Sequence, residues 1–141
     1  MQRLVIDASV AVKWFLPDAG DATDMLEALD FLLQLKAGDV SFAQPAHWKA
    51  EIAGVLVRRA PTLAADSLDD LSLLEGIEFI DTTTVYRRAI DLAQTLKHHL
   101  FDTLYHATAL ETDATFVTAD RRYYDKAAHF GQIALLEDAS T

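Results

Sequence analysis

The chain has 141 residues, 51% of them hydrophobic, which is the length of one ordinary domain with ample material for a core. It contains no cysteine, which excludes disulfides and thiolate metal sites, and no segment approaches the ~18 apolar residues that span a membrane. Its formal net charge of −10, from 22 acids against 12 Lys and Arg, argues against simple polyanion binding, unless the acids hold divalent cations or a local basic patch compensates.

Arg3 to Asp7 reads as a short buried strand that ends on an acid. Its apolar run is too short for a signal peptide, so a soluble cytoplasmic protein is expected. Ala8 to Leu16 reads as a short helix broken by Pro17 and Gly20. Asp21 can cap a longer helix to about Ala37, in which Met25, Leu26, Leu29, Leu32, Leu33 and Leu35 recur near the 3.6 period. Val40 to Ala43 is a second strand, closed by Pro45. Ala46 to Arg59 is helical, with Trp48, Ile52, Val55 and Leu56 on one stripe, and Leu63 to Leu74 gives another helix. Ile77 to Ile80 is a third strand. Thr83 or Thr84 caps a helix to about Leu96, and Asp102 opens one to about Thr112. Phe116-Val117 is the fourth strand, Arg121 to His129 a short helix, and Ile133 to Leu136 a fifth strand. Strands that alternate with helices, and that are apolar throughout, indicate a parallel sheet covered on both faces. No repeat or linker marks a second domain, so residues 1–141 are read as one.

Ligands of an open parallel sheet bind at the carboxyl ends of its strands. Asp7 ends the first strand and Asp120 lies just past the fourth; Ser9 and Thr118, each two residues from its acid, supply hydroxyls able to orient a carboxylate. Glu51 falls on or beside the apolar stripe of its helix, where a carboxylate costs several kcal/mol unless paired or metal-bound. Each acid also has a plain structural role open to it. Asp7, Asp102 and Asp120 can cap helices, and Glu51 can pair with Arg58 or Arg59. Together they point to one acidic pocket, in which like charges are relieved by a hard cation such as Mg2+ or Mn2+.

The segments VIDASVAVKWFLP, HWKAEIAGVL and FDTLYHATALETDATFVTADRR, in this order and spacing, resemble the PIN-domain ribonucleases, especially the VapC-type toxins of toxin–antitoxin pairs. The likeness runs from Met1 to about Phe130. It implies a three-layer α/β/α sandwich around a central parallel sheet of four to five short strands. It implies a pocket for Mg2+ or Mn2+ built from Asp7, Glu51, Asp102 and Asp120, supported by Ser9 and Thr118, with Asp125 near a place where some members carry a further acid. The implied activity is metal-dependent hydrolysis of RNA phosphodiesters, checked by a cognate antitoxin; a homodimer is implied, and the helices Asp21–Ala37 and Ala46–Arg59 offer faces for it.

Arg121, Arg122 and Lys13 lie where they can meet the RNA backbone, although a solvated helical turn explains the arginines equally well. Among the histidines, His98, His99 and His106 near Asp102 allow a His/Asp site, but no HExxH pair occurs and structural histidines are the simpler reading. Trp14, Phe15, Trp48, Tyr105 and Phe116 have core-like spacing, whereas Tyr123-Tyr124 can stack on a base. Two rivals remain. A phosphoacceptor receiver domain fits poorly, because Asp7 stands alone at the first strand end. A non-catalytic binding module of the same fold is the better alternative.

Overall fold

The computed structural model describes residues 1–16 and 22–139. Its strands are β1 (Gln2–Ile6), β2 (Val40–Pro45), β3 (Ile77–Ile80), β4 (Thr115–Thr118) and β5 (Ile133–Leu135). Its helices are α1 (Ala8–Ala11), α2 (Ala22–Ala37), α3 (Trp48–Arg59), α4 (Ala64–Ser72), α5 (Thr83–Leu96), α6 (Leu100–Thr112) and α7 (Arg121–Ala127). The strands form one parallel sheet in the order β3-β2-β1-β4-β5, flanked by the helices as an α/β/α sandwich.

The chain builds outward from β1 to β2 and β3, then crosses to the other side of β1 for β4 and β5. The order therefore reverses between β1 and β4, and the carboxyl ends of these two strands flank the crevice where such sheets bind ligands. Register places the ends side by side: Leu4 pairs with Thr115, Val5 with Phe116 and Ile6 with Val117. The Asp7 N–H continues the ladder to the Val117 carbonyl at 3.0 Å. Leu4, Val5, Ile6, Phe116 and Val117 are all buried, as two-sided cover requires. On the other edge of β1, buried Gln44 replaces a ladder pair with its side chain. Its Oε1 accepts from the Ile6 N–H at 2.7 Å and its Nε2 donates to the Ile6 carbonyl at 3.0 Å.

Helix α6 is buried along Thr103–Ala109 because it has apolar neighbours on two sides. Tyr105 and Ala109 join the main core with β1 and β4, while Leu104 and Ala107 pack with Val85, Ala89 and Leu92 of α5. Helix α3 buries Trp48, Ile52 and Leu56 on the expected stripe.

Several local expectations are corrected. Helix α2 buries Ala28, Phe31 and Leu35, whereas Leu26, Leu29 and Leu33 face solvent. Leucines occur around much of this helix, so the 3.6 period alone did not single out the docking face. The cap of α5 is Thr82, whose Oγ1 accepts from the Val85 N–H at 3.2 Å, not Thr83 or Thr84. Helix α6 begins at Leu100 with His99 as its cap, so Asp102 lies inside the first turn rather than opening it. The break at Pro17 and Gly20 and the cap at Asp21 fall outside the described residues.

Candidate active site

Asp7 caps α1, accepting the Ser9 N–H on Oδ1 at 3.2 Å. Its Oδ2 accepts from Thr118 Oγ1 at 2.6 Å, a direct consequence of the β1–β4 register. Thr118 Oγ1 in turn accepts from the Asp120 N–H at 3.0 Å, and Ser9 Oγ accepts from the Ala119 N–H at 3.3 Å. The two hydroxyls thus stitch the ends of β1 and β4 together and fix the orientation of the Asp7 carboxyl. Asp120 caps α7, accepting the Tyr123 N–H on Oδ1 at 3.1 Å. Capping leaves both acids able to bind a ligand, because a cap uses only part of a carboxylate's acceptor capacity.

Glu51 does not pair with Arg58 or Arg59. Its Oε1 accepts from the Tyr105 hydroxyl and lies 3.3 Å from His47 Nε2, one helical turn before it. The Tyr105 hydroxyl also meets the Ala8 backbone N–H, so it bridges α3 to the start of α1. His47 Nε2 donates to the Phe101 carbonyl at 2.8 Å, and its ring lies 4.8 Å from that of Tyr105.

Asp102 Oδ2 is 2.8 Å from His98 Nε2, and Lys126 Nζ is 3.2 Å from His98 Nδ1. An ammonium has donors only, so Nδ1 accepts and Nε2 carries the ring proton that Asp102 receives. A ring nitrogen of His98 and carboxylate oxygens of Asp102 and Asp120 lie within 4.8 Å of one another, with the protonated Nε2 orienting Asp102.

Electrostatics ties the remaining acids to this group. Burial pushes the Asp7 carboxyl from 3.8 to about 6, hydrogen bonds from Thr118 and Ser9 oppose the rise, and the charges of Asp102 and Glu51 add to it. Desolvation also pushes Glu51 up, but hydrogen bonds from His47 and Tyr105 outweigh it and hold the carboxyl below its usual range. Burial raises the Tyr105 hydroxyl, with Asp7 and Glu51 adding to it, and raises Tyr123, with Asp102 and Asp7 adding to it. Asp7 therefore feels Asp102 and Glu51, and a carboxylate oxygen of Asp102 lies within 4.8 Å of one of Asp120. Such crowding of carboxylates is what a bound divalent cation reverses, and the oxygen donors suit Mg2+ or Mn2+. The residues present fit such an ion.

Other candidates fare differently. Asp125 is exposed on α7. Arg121 pairs with Glu137 on the surface. Arg122 is exposed, whereas Lys13 is only 8% exposed and engages the protein itself. His106 is buried: the Tyr123 hydroxyl donates to Nδ1 at 2.9 Å and Nε2 donates to the Gly131 carbonyl at 2.8 Å. Both ring nitrogens are used, and desolvation lowers its pKa, so it serves the core. Tyr123 is 1% exposed and is not available to stack on a base.

The sequence reading did not find Tyr105 and His47 as partners of Glu51, Lys126 as a partner of His98, or Gln44 as the brace of β1. His47 carried a signal, since it stands at i−4 from Glu51 on a continuous helical stretch. The others depend on contacts between distant segments.

The sequence model of the PIN domain matches residues 4–129. The chain belongs to the PIN domain family. Among curated proteins, none matches the sequence. The PIN fold here is similar to several solved structures. One is a toxin-antitoxin complex from Klebsiella pneumoniae, at 18% identity and TM-score 0.68, covering 96% of this chain and 98% of the other. Another is VapBC-1 from nontypeable Haemophilus influenzae, at 12% identity and TM-score 0.67, with coverage of 96% and 98%. A third is FitAcB from Neisseria gonorrhoeae, at 19% identity and TM-score 0.61, with coverage of 95% and 96%. Among the described residues, no helix of this PIN domain is long and apolar enough to cross a membrane.

Proposed function

We propose that this PIN domain is a metal-dependent endoribonuclease and the toxin of a type II toxin–antitoxin pair, acting in the cytoplasm. The nuclease reading is supported by the approach of Asp102 to Asp120 and by the charge coupling of Asp7 to Asp102 and Glu51, in a chain matched by the PIN family over residues 4–129. The toxin reading is supported by the neighbour described as a toxin-antitoxin complex and by the neighbour described as VapBC-1.

Asp102, Asp120 and Asp7 are the residues assigned to hold Mg2+ or Mn2+, with Glu51 completing the pocket directly or through water. When bound, such an ion lowers the pKa of water and offsets charge on phosphoryl oxygens. The chain's own residues set the stage. Thr118 Oγ1 and the Ser9 N–H fix both oxygens of Asp7, and His98 Nε2–H fixes one oxygen of Asp102. Glu51, held ionised by Tyr105 and His47, suits charge stabilisation better than proton transfer, because a lowered pKa makes a weak base. Asp125, Arg121 and Lys13 receive no role in this pocket. A cognate antitoxin covering the pocket and a homodimer complete the proposed assembly.

The test uses purified protein and end-labelled single-stranded RNA. Cleavage is expected with Mg2+ or Mn2+, none with a chelator, and loss of about 100-fold or more in Asp7→Asn and Asp120→Asn with the circular dichroism spectrum retained. Both variants cutting like wild type would contradict the assigned pocket. RNA binding without cleavage by wild type would favour the non-catalytic module instead.

A further inference from the structure

Beside the acidic crevice lies a hollow of about 320 Å³ lined by Ala93, Lys97, His98, His99, Arg122 and Lys126. It is formed by the end of α5, the turn into α6, and α7. In a chain with 12 Lys and Arg against 22 acids, three cations gather here and no carboxylate joins the lining. Lys97, His99 and Arg122 are exposed. His98 belongs to both places: Lys126 donates to its Nδ1 and its Nε2 donates to Asp102. The hollow therefore adjoins Asp102, with the His98 imidazole between them. Lys97 occupies the αL cap of α5 at φ 52°, where glycine is the less costly residue, so its charge can be removed by Lys97→Gly without straining the turn.

We propose that this hollow is a phosphate subsite that holds the single-stranded RNA backbone next to the phosphodiester lying in the acidic crevice. The inference rests on the nuclease reading for its substrate class, but its own content is the path of the strand. Two charges explain the need for it. An acidic protein repels a polyanion at long range, and a cation in the crevice compensates only at the reacting phosphate. A neighbouring phosphate requires its own counter-charge, and Lys97 and Arg122 are placed to give it. Lys126, engaged with His98, links the occupied hollow to the Asp102 side of the crevice.

The test measures binding of a short fluorescent single-stranded RNA by anisotropy in Mg2+, across salt concentrations, in an Asp7→Asn background that keeps the strand intact. Lys97→Gly suits the positive φ and Arg122→Gln is on the surface, so neither change threatens the fold. Each is expected to weaken binding about three- to tenfold and to flatten the slope of log K against log salt by about 0.7, the value for one single-strand phosphate contact. Arg122→Lys is expected to restore most of the slope, and Arg87→Ala, in a different hollow, to change nothing. Unchanged affinity and slope in Lys97→Gly and Arg122→Gln overturn the subsite even when wild type cuts RNA, as does a failure of the parent to bind RNA. Binding lost through these residues supports it even when wild type does not cut, in which case the nuclease reading alone falls.

Discussion

Asp7 carries opposing demands, and they make it the most informative residue. Its folded pKa of about 6 lies above the ordinary 3.8, so the folded state binds its proton more tightly than the unfolded chain. Without metal, its charge therefore opposes folding fully above about pH 6, and the penalty fades as pH falls toward 3.8. The size is on the order of 3 kcal/mol. Other groups act with opposite sign: His106 and Glu51 are both lowered in the fold, so each loses stabilisation as pH falls. The Asp7 contribution is thus best read by difference. Chemical denaturation of metal-free protein at pH 7 is expected to show Asp7→Asn more stable than wild type, with the gap closing below pH 6. A constant gap from pH 7 to 4.5 would contradict the assignment. Thr118→Val removes the donor to Asp7 and the acceptor for the Asp120 N–H. It is expected to lower divalent-cation affinity about 10- to 100-fold, measured by calorimetry. His98→Gln separates two roles, because a Gln amide keeps an N–H for Asp102. Retained Mn2+ affinity is expected, while loss matching that of His98→Ala would make His98 a direct ligand.

At the scale of elements, the strands were legible and the helix faces less so. Runs such as Leu4-Val5-Ile6 and Phe116-Val117 are apolar on both sides, and only a covered parallel sheet explains that. The placement of Asp7 and Asp120 followed, because strand ends in such a sheet converge. On helix α2, Leu26, Leu29 and Leu33 obscure the docking face, where Ala28 and Phe31 join the expected Leu35. In the sequence Asp102 stands out as an opening residue, because His99, the actual cap, makes no side-chain bond and leaves no signal. The partners of Glu51 were out of reach, since Tyr105 comes from α6 and only tertiary packing brings it to α3. Two substitutions test these local accounts by shifts in denaturant midpoint. Thr82→Ala is expected to cost about 1 kcal/mol as a lost cap of α5. Tyr105→Phe is expected to cost about 1.5–3 kcal/mol, the range for a hydrogen bond to a charged group. A cost near zero for Tyr105→Phe would mean that Glu51 is held by His47 alone.

For the whole molecule, charge and exposed apolar surface point to partners. Leu26 is 69% exposed and Leu33 61% on α2, and Val57 is 61% exposed on α3, the two helices proposed for a homodimer. Light scattering of Leu26→Glu/Leu33→Glu is expected to give a monomer where wild type gives a dimer; the same mass for both would remove α2 from the interface. The net charge of −10 suits a basic antitoxin segment, and co-purified antitoxin is expected to suppress cleavage. All of this depends on one proposed feature, a cation shared by carboxylates that follow β1 and β4 and stand on α3 and α6. A Mn2+ titration followed by electron paramagnetic resonance probes it directly, comparing wild type with Asp7→Asn, Asp102→Asn and Asp120→Asn. Saturable Mn2+ binding by wild type, weakened in all three variants, is the expected result. Wild-type binding that survives each substitution, or no saturable binding at all, would show that these acids do not share a cation.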